Sequence, residues 1–242
     1  MLNKAKEKIK KHNPKLYQKL IDWRDNHLGF YHKSYSQFGE DLVLRHFVLK
    51  DNKNYQGFFI DIGAYHPTKY SNTYYFYQRG WRGLNIDAKP GSMMRFNKKR
   101  PKDTNLEIGV ALKSDKKEFY IFKEPAFNTF SLEMANKWQA QGQELLRKEL
   151  VTIDSLSNIL DEYLPDNKKI DFMSIDVEGF DLEVLKSNNW QKYRPRYILV
   201  ELHDEKIENI LESEIYLFLK NNNYSLASWS VITLVFKDEN LN

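Results

Sequence analysis

Residues 57–87 read GFFIDIGAYHPTKYSNTYYFYQRGWRGLNID, and this stretch decides the fold. Its first part, 57–63, is an apolar run that is too short for a core helix and is typical of a buried parallel strand. A helical stretch follows over 72–79, and a second apolar run, 82–87, again ends in an acid. The stretch therefore predicts a strand–helix–strand unit, the building block of a parallel sheet.

The same alternation continues toward the C-terminus. Further strands are predicted at 105–112, 118–123, 169–179 and 196–203, with a short strand leading into a helix over 151–160 and a closing hairpin at 224–230 and 231–237. Helices are predicted at 91–99, 136–150, 180–187 and 205–222. Because strands alternate with helices, the sequence predicts an α/β fold with a mostly parallel sheet.

Two further helices are predicted before the first strand. Residues 36–49 form an amphipathic pattern, with Ser36 as the helix cap. Residues 2–28 predict a basic helix that is broken near Pro14. Three large apolar residues recur on it at helical spacing: Leu16, Leu20 and Trp23.

The charge of the chain is divided unevenly between residues 1–33 and 34–242. The first segment holds nine Lys or Arg and three acids, a net charge of +6, whereas the second carries −2 of the whole-chain +4. A nucleic-acid-binding protein carries its positive charge on the folded body, so this pattern argues against a nucleic-acid partner. We expect 1–33 to be an arm, packed on the body or in contact with a membrane surface or partner protein, and 34–242 to be the functional domain.

The composition is that of a soluble globular protein. The chain has 242 residues, of which 41% are hydrophobic and 29% charged, and it has no cysteine. The lack of cysteine excludes disulfides, thiolate metal sites and a cysteine nucleophile. Because no apolar run reaches the roughly 18–20 residues that span a bilayer, and the N-terminus lacks a signal-peptide core, we expect a cytoplasmic protein that is at most peripheral to a membrane.

Acids recur where the predicted strands end. In an open α/β sheet, ligands bind beyond the carboxyl ends of the strands, so polar residues there are candidates for a binding site. The residues at these ends are Asp61, Gly63, Asp87, Gly109, Asp176, Glu178, Glu201 and His203. One such acid is usually a loop or cap residue, but acids at four strand ends favour a shared ligand.

Asp61 and Asp87 lie one strand–helix–strand unit apart. An acid at the end of the second strand can accept both hydroxyls of a ribose, which predicts a nucleotide-like cofactor. The glycine pattern that holds a pyrophosphate is missing after Asp61, where only Gly63 lets a cofactor approach and the bulky Tyr65 would crowd a pyrophosphate. The residues therefore favour S-adenosylmethionine over NAD, since its cationic sulfonium and amino groups suit the acids.

At this level of detail the chain resembles the FkbM family of S-adenosylmethionine-dependent methyltransferases. The matching segments are SQFGED (36–41), FFIDIGAYHP (58–67), SNTYYFYQRGWRGLNIDAKP (71–90), IGVAL (108–112), VTIDSL (151–156), IDFMSIDVEGFDLEVL (170–185) and ILVELH (198–203). The chain departs from the family at Tyr65–His66–Pro67, where many members keep a further glycine. The basic arm and residues 124–150 lie outside the resemblance.

The resemblance implies a fold and an activity. The implied fold is the class I methyltransferase (Rossmann-like) fold, with helices on both faces of a mostly parallel seven-stranded sheet and a reversed last strand in a C-terminal antiparallel hairpin. The implied activity is O-methylation, often of a sugar or polyketide hydroxyl, so the expected partner is a small-molecule or glycan acceptor. Residues 124–150 would lie on the acceptor side.

The resemblance also implies roles for residues at the cofactor. The implied cofactor-binding residues are Gln37, Asp41, Asp61, Gly63, Ala64, Asn72, Asp87, Gly109, Val110 and Asp176. In the implied fold Asp87 binds the ribose, Gly109 and Val110 border the adenine, and Asp176 faces the sulfonium. For Asp41 a plain first-turn acid and for Asn72 a plain cap are equally good interpretations, and Asp154 is better explained as a helix N-cap than as a ligand.

Methyl transfer to oxygen needs an aligned acceptor and a base that removes its proton. His203, just past Glu201, is the best-placed titratable candidate, and Glu178 is the second. The alternative is that Asp176, Glu201 and His203, with Glu178, hold a divalent cation such as Mg²⁺ that lowers the hydroxyl pKa. His66 is a further candidate for an acceptor contact.

Two functions from other classes stay open at this point. An NAD-dependent oxidoreductase would share the strand-end acids, although the missing glycines argue against it. A catalytically silent binding module would share the fold, although the intact set of acids argues against it.

Overall fold

The computed structural model describes residues 2–27, 32–50, 52, 54–204 and 206–241. The chain divides into two compact units, Met1–Lys33 and Ser34–Asn242, and each is described by itself. That the first unit is a dispensable arm and the second a complete functional domain stays a prediction.

The first unit is helical, with α1 at Leu2–His12 and α2 at Pro14–His27. Proline has no backbone N–H to donate and is tolerated in the first turn of a helix, which explains the break at the predicted place. The hydrogen bonding passes through Asn13, whose N–H donates to Ile9 O (2.8 Å) and whose carbonyl accepts from Tyr17 N (3.0 Å). In the described part of the chain, no helix combines the length and apolar character needed to cross a membrane.

The second unit is built on a seven-stranded sheet. Its strands are β1 (Phe58–Ile62), β2 (Arg82–Asp87), β3 (Thr104–Glu107), β7 (Phe172–Ile175), β8 (Tyr197–Glu201), β9 (Tyr224–Ser230) and β10 (Thr233–Asp238). The order is β3-β2-β1-β7-β8-β10-β9. The first five strands run parallel, and β10 is antiparallel to both β8 and β9. This is the predicted class I methyltransferase fold with its closing hairpin.

Helices cover both faces of this sheet, as predicted. The helices of the second unit are α3 (Glu40–Val48), α4 (Tyr74–Gln78), α5 (Met93–Lys99), α6 (Leu132–Ala140), α7 (Leu156–Tyr163), α8 (Asp181–Lys186), α9 (Ile207–Glu212) and α10 (Glu214–Asn221), with a 3₁₀ turn at Pro125–Phe127. Successive strand residues point to opposite faces. Phe59 packs in one core with residues of α3 and α4, whereas Phe58 and Ile60 pack in a second core with residues of α7, α8 and α10.

A second, three-stranded sheet was not predicted. It consists of β4 (Gly109–Val110), β5 (Asp115–Phe122) and β6 (Leu145–Asp154), in the order β4-β6-β5. The single strand predicted at 105–112 is therefore wrong, because β3 and β4 belong to different sheets on either side of Ile108.

The helix predicted at 136–150 is also wrong in its second half. Helix α6 ends near Gly142, which has a φ of +86° that interrupts regular helix. Residues 145–150 then belong to β6 and pair antiparallel with β5, where Lys148 bonds Glu118 across the strands at 3.1 Å. These residue types favour helix in isolation, and pairing with the neighbouring strand overrides that preference.

Two helix boundaries differ from the predictions. Helix α3 begins at Glu40 behind Gly39, so Ser36 is not its cap; Ser36 Oγ instead bonds the side chain and the N–H of Asp41. The helix predicted at 205–222 is two helices, because Ser213 caps a new start by accepting from Tyr216 N at 3.2 Å.

Candidate functional site

A cavity of about 540 Å³ opens beyond the carboxyl ends of β1, β2, β7 and β8. This volume is typical of sites for small molecules. The predicted site residues that line it are Gln37, Gly63, Asp87, Gly109, Val110, Asp176, Glu178, Glu201 and His203. The structure thus brings together residues from six separate parts of the sequence, and their functional roles remain predictions.

Asp87 forms the end of the cavity above β2. Its Oδ2 accepts from Tyr65 N at 2.9 Å and its Oδ1 from Lys89 N at 2.8 Å. Burial raises the pKa of Asp87, and the two backbone N–H groups oppose that shift. Because each carboxylate oxygen can accept a second hydrogen bond, Asp87 can take both hydroxyls of a ribose.

Gly63 makes the sharp turn after β1 possible. It has a φ of +78°, and a Cβ at this position would lie 1.7 Å from the carbonyl oxygen of Asp176. Its N–H and that of Ala64 both donate to Ile86 O, at 2.9 and 3.1 Å. Ala64 itself is buried behind the turn, outside the cavity lining. Glycine is therefore required here by the approach of two strands as well as by any ligand.

Asp61 and Asn72 serve the scaffold rather than the cavity lining. Asp61 is buried on the same face of β1 as Phe59, where its Oδ2 accepts from Thr73 Oγ1 at 2.6 Å. Burial raises the pKa of Asp61, and nearby Arg100 opposes the shift. Asn72 Nδ2 donates to Ser174 Oγ at 3.0 Å, which ties the loop before α4 to β7.

Asp41 also lies outside the cavity lining and holds the loop that carries Gln37. Its carboxylate accepts from Ser34 Oγ (2.6 Å), Ser36 Oγ (3.0 Å) and the N–H of Tyr35 (3.2 Å), and it pairs with Arg45. The side chain of Asp41 is fully buried. It can therefore position Gln37, which lines the cavity, without touching a ligand itself.

Three carboxylates and a histidine meet at the other end of the cavity, above β7 and β8. His203 Nε2 lies 3.3 Å from Glu201 Oε1. One ligand atom each from Glu178, Glu201 and His203 lies within 4.8 Å of the other two, so these three can hold a metal ion. Asp176, which was predicted in that set, shares a hydrogen bond with Glu201 instead. This group of Asp176, Glu178, Glu201 and His203 is called the acid–histidine cluster below.

The acid–histidine cluster favours positive charge. Burial and repulsion by Glu201 raise the pKa of Glu178 to about 8, and the same causes raise that of Asp176 well above its ordinary value. The hydrogen bond to Glu201 raises the pKa of His203, and the charges of Glu201 and Glu178 add to this. A cationic group placed here would relieve the repulsion among the carboxylates.

Asp181 is a residue of the site that the sequence analysis missed. It accepts from Val177 N (3.3 Å) and Gly179 N (3.2 Å) and so holds the turn in which Glu178 has a φ of +51°. Burial and the charge of Glu201 raise the pKa of Asp181 to about 7. Its position in SIDVEGFDLEVL, two residues after the glycine, was the available signal.

An apolar slot separates the two ends of the cavity. Gly109 and Val110, which the resemblance places beside an adenine, line it together with two aromatic side chains that were not predicted, Phe119 of β5 and Phe130 of the segment between β5 and α6. Phe180 after β7 lies 5.9 Å from Phe130, ring centre to ring centre. Such a slot is suited to a flat aromatic ring.

His66 stays a candidate for an acceptor contact, whereas the N-cap predicted for Asp154 is wrong. His66 lines the cavity, and its Nδ1 accepts from Lys69 N (3.0 Å) and Thr68 N (3.2 Å), while burial lowers its pKa. Asp154 is not the N-cap of α7, because Ser155 fills that position by accepting from Asn158 N at 3.1 Å.

A family model identifies the family of the chain. The model of the family described as "Methyltransferase FkbM domain" matches residues 61–226, more than half of the chain. A crystal structure of Methyltransferase FkbM from Methylobacillus flagellatus KT matches with 12% identity and a TM-score of 0.45, over 76% of this chain and 44% of that chain. This chain therefore spans less than half of that protein's length. A comparison with curated proteins gave no match.

Proposed function

Because the chain belongs to the FkbM methyltransferase family, we propose that it transfers the methyl group of S-adenosylmethionine to a hydroxyl oxygen of a sugar, glycan or related small metabolite. The observation that carries this proposal is the cavity itself, which has Asp87 at one end and the acid–histidine cluster at the other. Family membership favours this function over an NAD-dependent oxidoreductase or a silent binding module.

The residues of the cavity fit S-adenosylmethionine. Asp87 can accept the ribose hydroxyls, and Val110, Phe119 and Phe130 can enclose the adenine. The acid–histidine cluster can stabilise the cationic end of the cofactor, since burial and mutual repulsion, which raise the pKa values of Asp176 and Glu178, are both relieved by a neighbouring positive charge. When bound, S-adenosylmethionine supplies a methyl group on a positively charged sulfur that departs as a neutral thioether.

His203 is the proposed base. Its Nε2 is directed at Glu201, which holds the ring and leaves Nδ1 to accept the proton of the acceptor hydroxyl. Glu201 then stabilises the imidazolium that forms. We expect turnover to fall as the pH is lowered and His203 becomes protonated. Because the pKa of His203 is raised, the midpoint of this fall should lie above pH 6.5, the ordinary pKa of histidine.

Glu178 and a metal ion are the alternatives for the same step. With a pKa of about 8, Glu178 is mostly protonated at neutral pH and is therefore the weaker candidate for the base. A divalent cation held by Glu178, Glu201 and His203 would lower the pKa of the hydroxyl directly. His203 would then be a ligand and not a base.

Two tyrosines at the cavity support a sugar-like acceptor. Tyr65 and Tyr70 both line the cavity, and their rings stack at 6.3 Å with an angle of 21° between the planes. Tyr70 is half exposed, so its ring can pack against the apolar face of a sugar. Neighbouring His66 can donate a hydrogen bond through its other ring nitrogen.

The cofactor is tested by thermal unfolding with added ligands. S-adenosylmethionine and S-adenosylhomocysteine are expected to raise the unfolding temperature, and NAD is not. The reaction is tested with methyl-labelled cofactor and a panel of sugars and glycans. A labelled methyl ether survives mild alkali, whereas a carboxyl methyl ester is hydrolysed, so alkali distinguishes an oxygen acceptor of the proposed kind.

The base is tested with His203→Ala and His203→Gln. Both are expected to lower turnover by about 10²–10⁴-fold while leaving cofactor affinity nearly unchanged, and His46→Ala, an exposed histidine on α3, serves as the control. Loss of activity in a chelator, restored by Mg²⁺ or Mn²⁺, would assign the step to a metal instead. If the His203→Ala variant turned over at the wild-type rate and chelator did not inhibit it, both the histidine-base mechanism and the metal mechanism would be contradicted.

A further inference from the structure

The helical arm has an apolar stripe that faces solvent. On α2 the exposed fractions are 45% for Leu16, 48% for Leu20 and 56% for Trp23. Because α-helical residues are about 100° apart around the axis, these three and Ile9 of α1 fall within about 60° of one another. Two hydrogen bonds with the i,i+4 spacing of a helix connect α1 to α2 through Asn13.

Charges are sorted around the stripe. Using the same spacing, six basic residues flank it on both sides, and the acids of the arm lie on the opposite face of the helix together with Lys11. The bases on one side are Lys8, Lys15 and Lys19, and those on the other are Lys6, Lys10 and Arg24. The acids on the opposite face are Glu7, Asp22 and Asp25. All these side chains are exposed.

From this arrangement we propose that the arm docks on the surface of an anionic lipid bilayer. A helix that lies in the membrane interface has an apolar side in the acyl boundary, basic residues level with the phosphates and acids turned to water. Lys and Arg can extend their charged ends to the headgroups while their stems cover apolar surface. Trp23 suits the same depth because its ring is apolar and its N–H polar.

The flanking charges argue against a second copy of the arm as the occupant. In a pair of such helices the residues beside the stripe face each other, in either orientation, and here both flanks are basic. Lysines would repel lysines across that contact. An anionic surface meets the same flanks with opposite charge, and each base near it strengthens binding until salt screens the interaction. The proposal is independent of the reaction.

The test is flotation of the full chain with vesicles. Binding is expected to vesicles of phosphatidylcholine with roughly one third phosphatidylglycerol, to be much weaker with phosphatidylcholine alone, and to fall as salt is added. Leu20→Gln is expected to reduce the bound fraction about tenfold, whereas Gln18→Ala, on the opposite face, leaves it nearly unchanged. Cofactor binding, measured in parallel, shows that each variant is folded.

An exchange variant separates the stripe from charge alone. Gln18→Leu with Leu20→Gln keeps the composition and net charge of the arm but moves one leucine off the stripe. It is expected to bind about as weakly as Leu20→Gln. Equal binding of the exchange variant and the wild type to anionic vesicles would overturn the proposal. Failure of the wild-type chain to bind anionic vesicles at low salt would also overturn it. Self-association that Leu20→Gln abolishes, without vesicle binding, would assign the stripe to a second copy.

Discussion

Asp87 is held open for a ligand by the backbone around it. The N–H groups of Tyr65 and Lys89 each occupy one of its oxygens, so its orientation is fixed before a cofactor arrives. In the proposed complex, the ribose would gain two acceptors without the need to order a side chain. Preorganisation of this kind makes the residue a sharp test of the cofactor assignment.

Replacement of Asp87 by alanine is expected to weaken binding of S-adenosylhomocysteine by about 1–3 kcal/mol, because the ribose hydroxyls lose their acceptors. Titration calorimetry measures the change. Asp154→Ala is the matched control, since Asp154 also follows a strand but bonds Ser155 N and Asn158 Nδ2 outside the cavity lining. Equal affinities of the Asp87 variant and the wild type would show that the ribose lies elsewhere.

Glu178 links the site to the pH dependence of stability. Its pKa is raised from the ordinary 4.5 to about 8, so the folded chain binds more protons than the unfolded chain between these values. The free energy of unfolding must then fall as the pH rises across that window. Asp181 and His203, whose pKa values are also raised, change stability in the same direction.

Glu178→Gln should therefore flatten this decline. We expect the variant to gain about 1–3 kcal/mol relative to the wild type between pH 5 and pH 8, because glutamine does not ionise. Urea unfolding at the two pH values measures the difference. Glu133→Gln, an exposed residue of α6, controls for the substitution itself, and parallel curves for wild type and Glu178→Gln would refute the assignment.

Side-chain direction explains which site residues the sequence could predict. Asp87, Asp176 and Glu201 were identifiable because each follows an apolar run at a strand end. Asp61 is predicted at the cofactor, but it lies outside the cavity lining. Residues two apart on a strand share a face, so Asp61 lies on the same face as the buried Phe59. The pairing of Glu178 with His203 depends on a turn with positive φ, which no pattern in one sequence specifies.

At the scale of elements, the turn after β1 depends on a glycine. A Cβ on Gly63 would collide with the carbonyl oxygen of Asp176, which is backbone and cannot move aside cheaply. The same turn brings Tyr65 N to Asp87. The packing of β1 against β7 and the geometry of the ribose end therefore share one small residue.

Gly63→Ala is expected to lower the free energy of unfolding by about 3 kcal/mol or more, because it combines a positive φ with the clash. Gly142→Ala separates the two effects, since Gly142 has a φ of +86° and a Cβ added there would have no other atom within 4 Å. Its cost should be about 1 kcal/mol. Denaturant unfolding of both variants gives the comparison, and equal losses would mean that the clash relaxes.

The elements that the sequence predicted well are those whose pattern matches their surroundings. The strands of the central sheet are buried on both sides and read as apolar runs. Strand β6 is half exposed and rich in Glu, Lys and Leu, which resembles a helix until β5 pairs with it. The exposed part of β6 thus carries too little hydrophobic pattern for its assignment as a strand from one sequence.

At the scale of the whole molecule, we expect the arm and the methyltransferase unit to have separable tasks. Deletion of residues 1–28 is expected to leave the affinity for S-adenosylhomocysteine within about twofold, because every residue assigned to the cofactor lies after Ser34. Calorimetry on the truncated chain, with circular dichroism to confirm folding, measures this. A folded truncation that no longer binds would place part of the site in the arm.

The second sheet and the seven-stranded sheet contribute different parts of the cavity. Its strands form a sheet of their own, yet Phe119 and Phe130 complete a wall of the cavity whose floor belongs to the seven-stranded sheet. Mutations can therefore reshape that wall while the register of the central strands is untouched. In evolution, or in a laboratory library confined to residues 115–154, this segment can therefore be varied or exchanged to obtain new ligand specificities while the seven-stranded sheet stays the same.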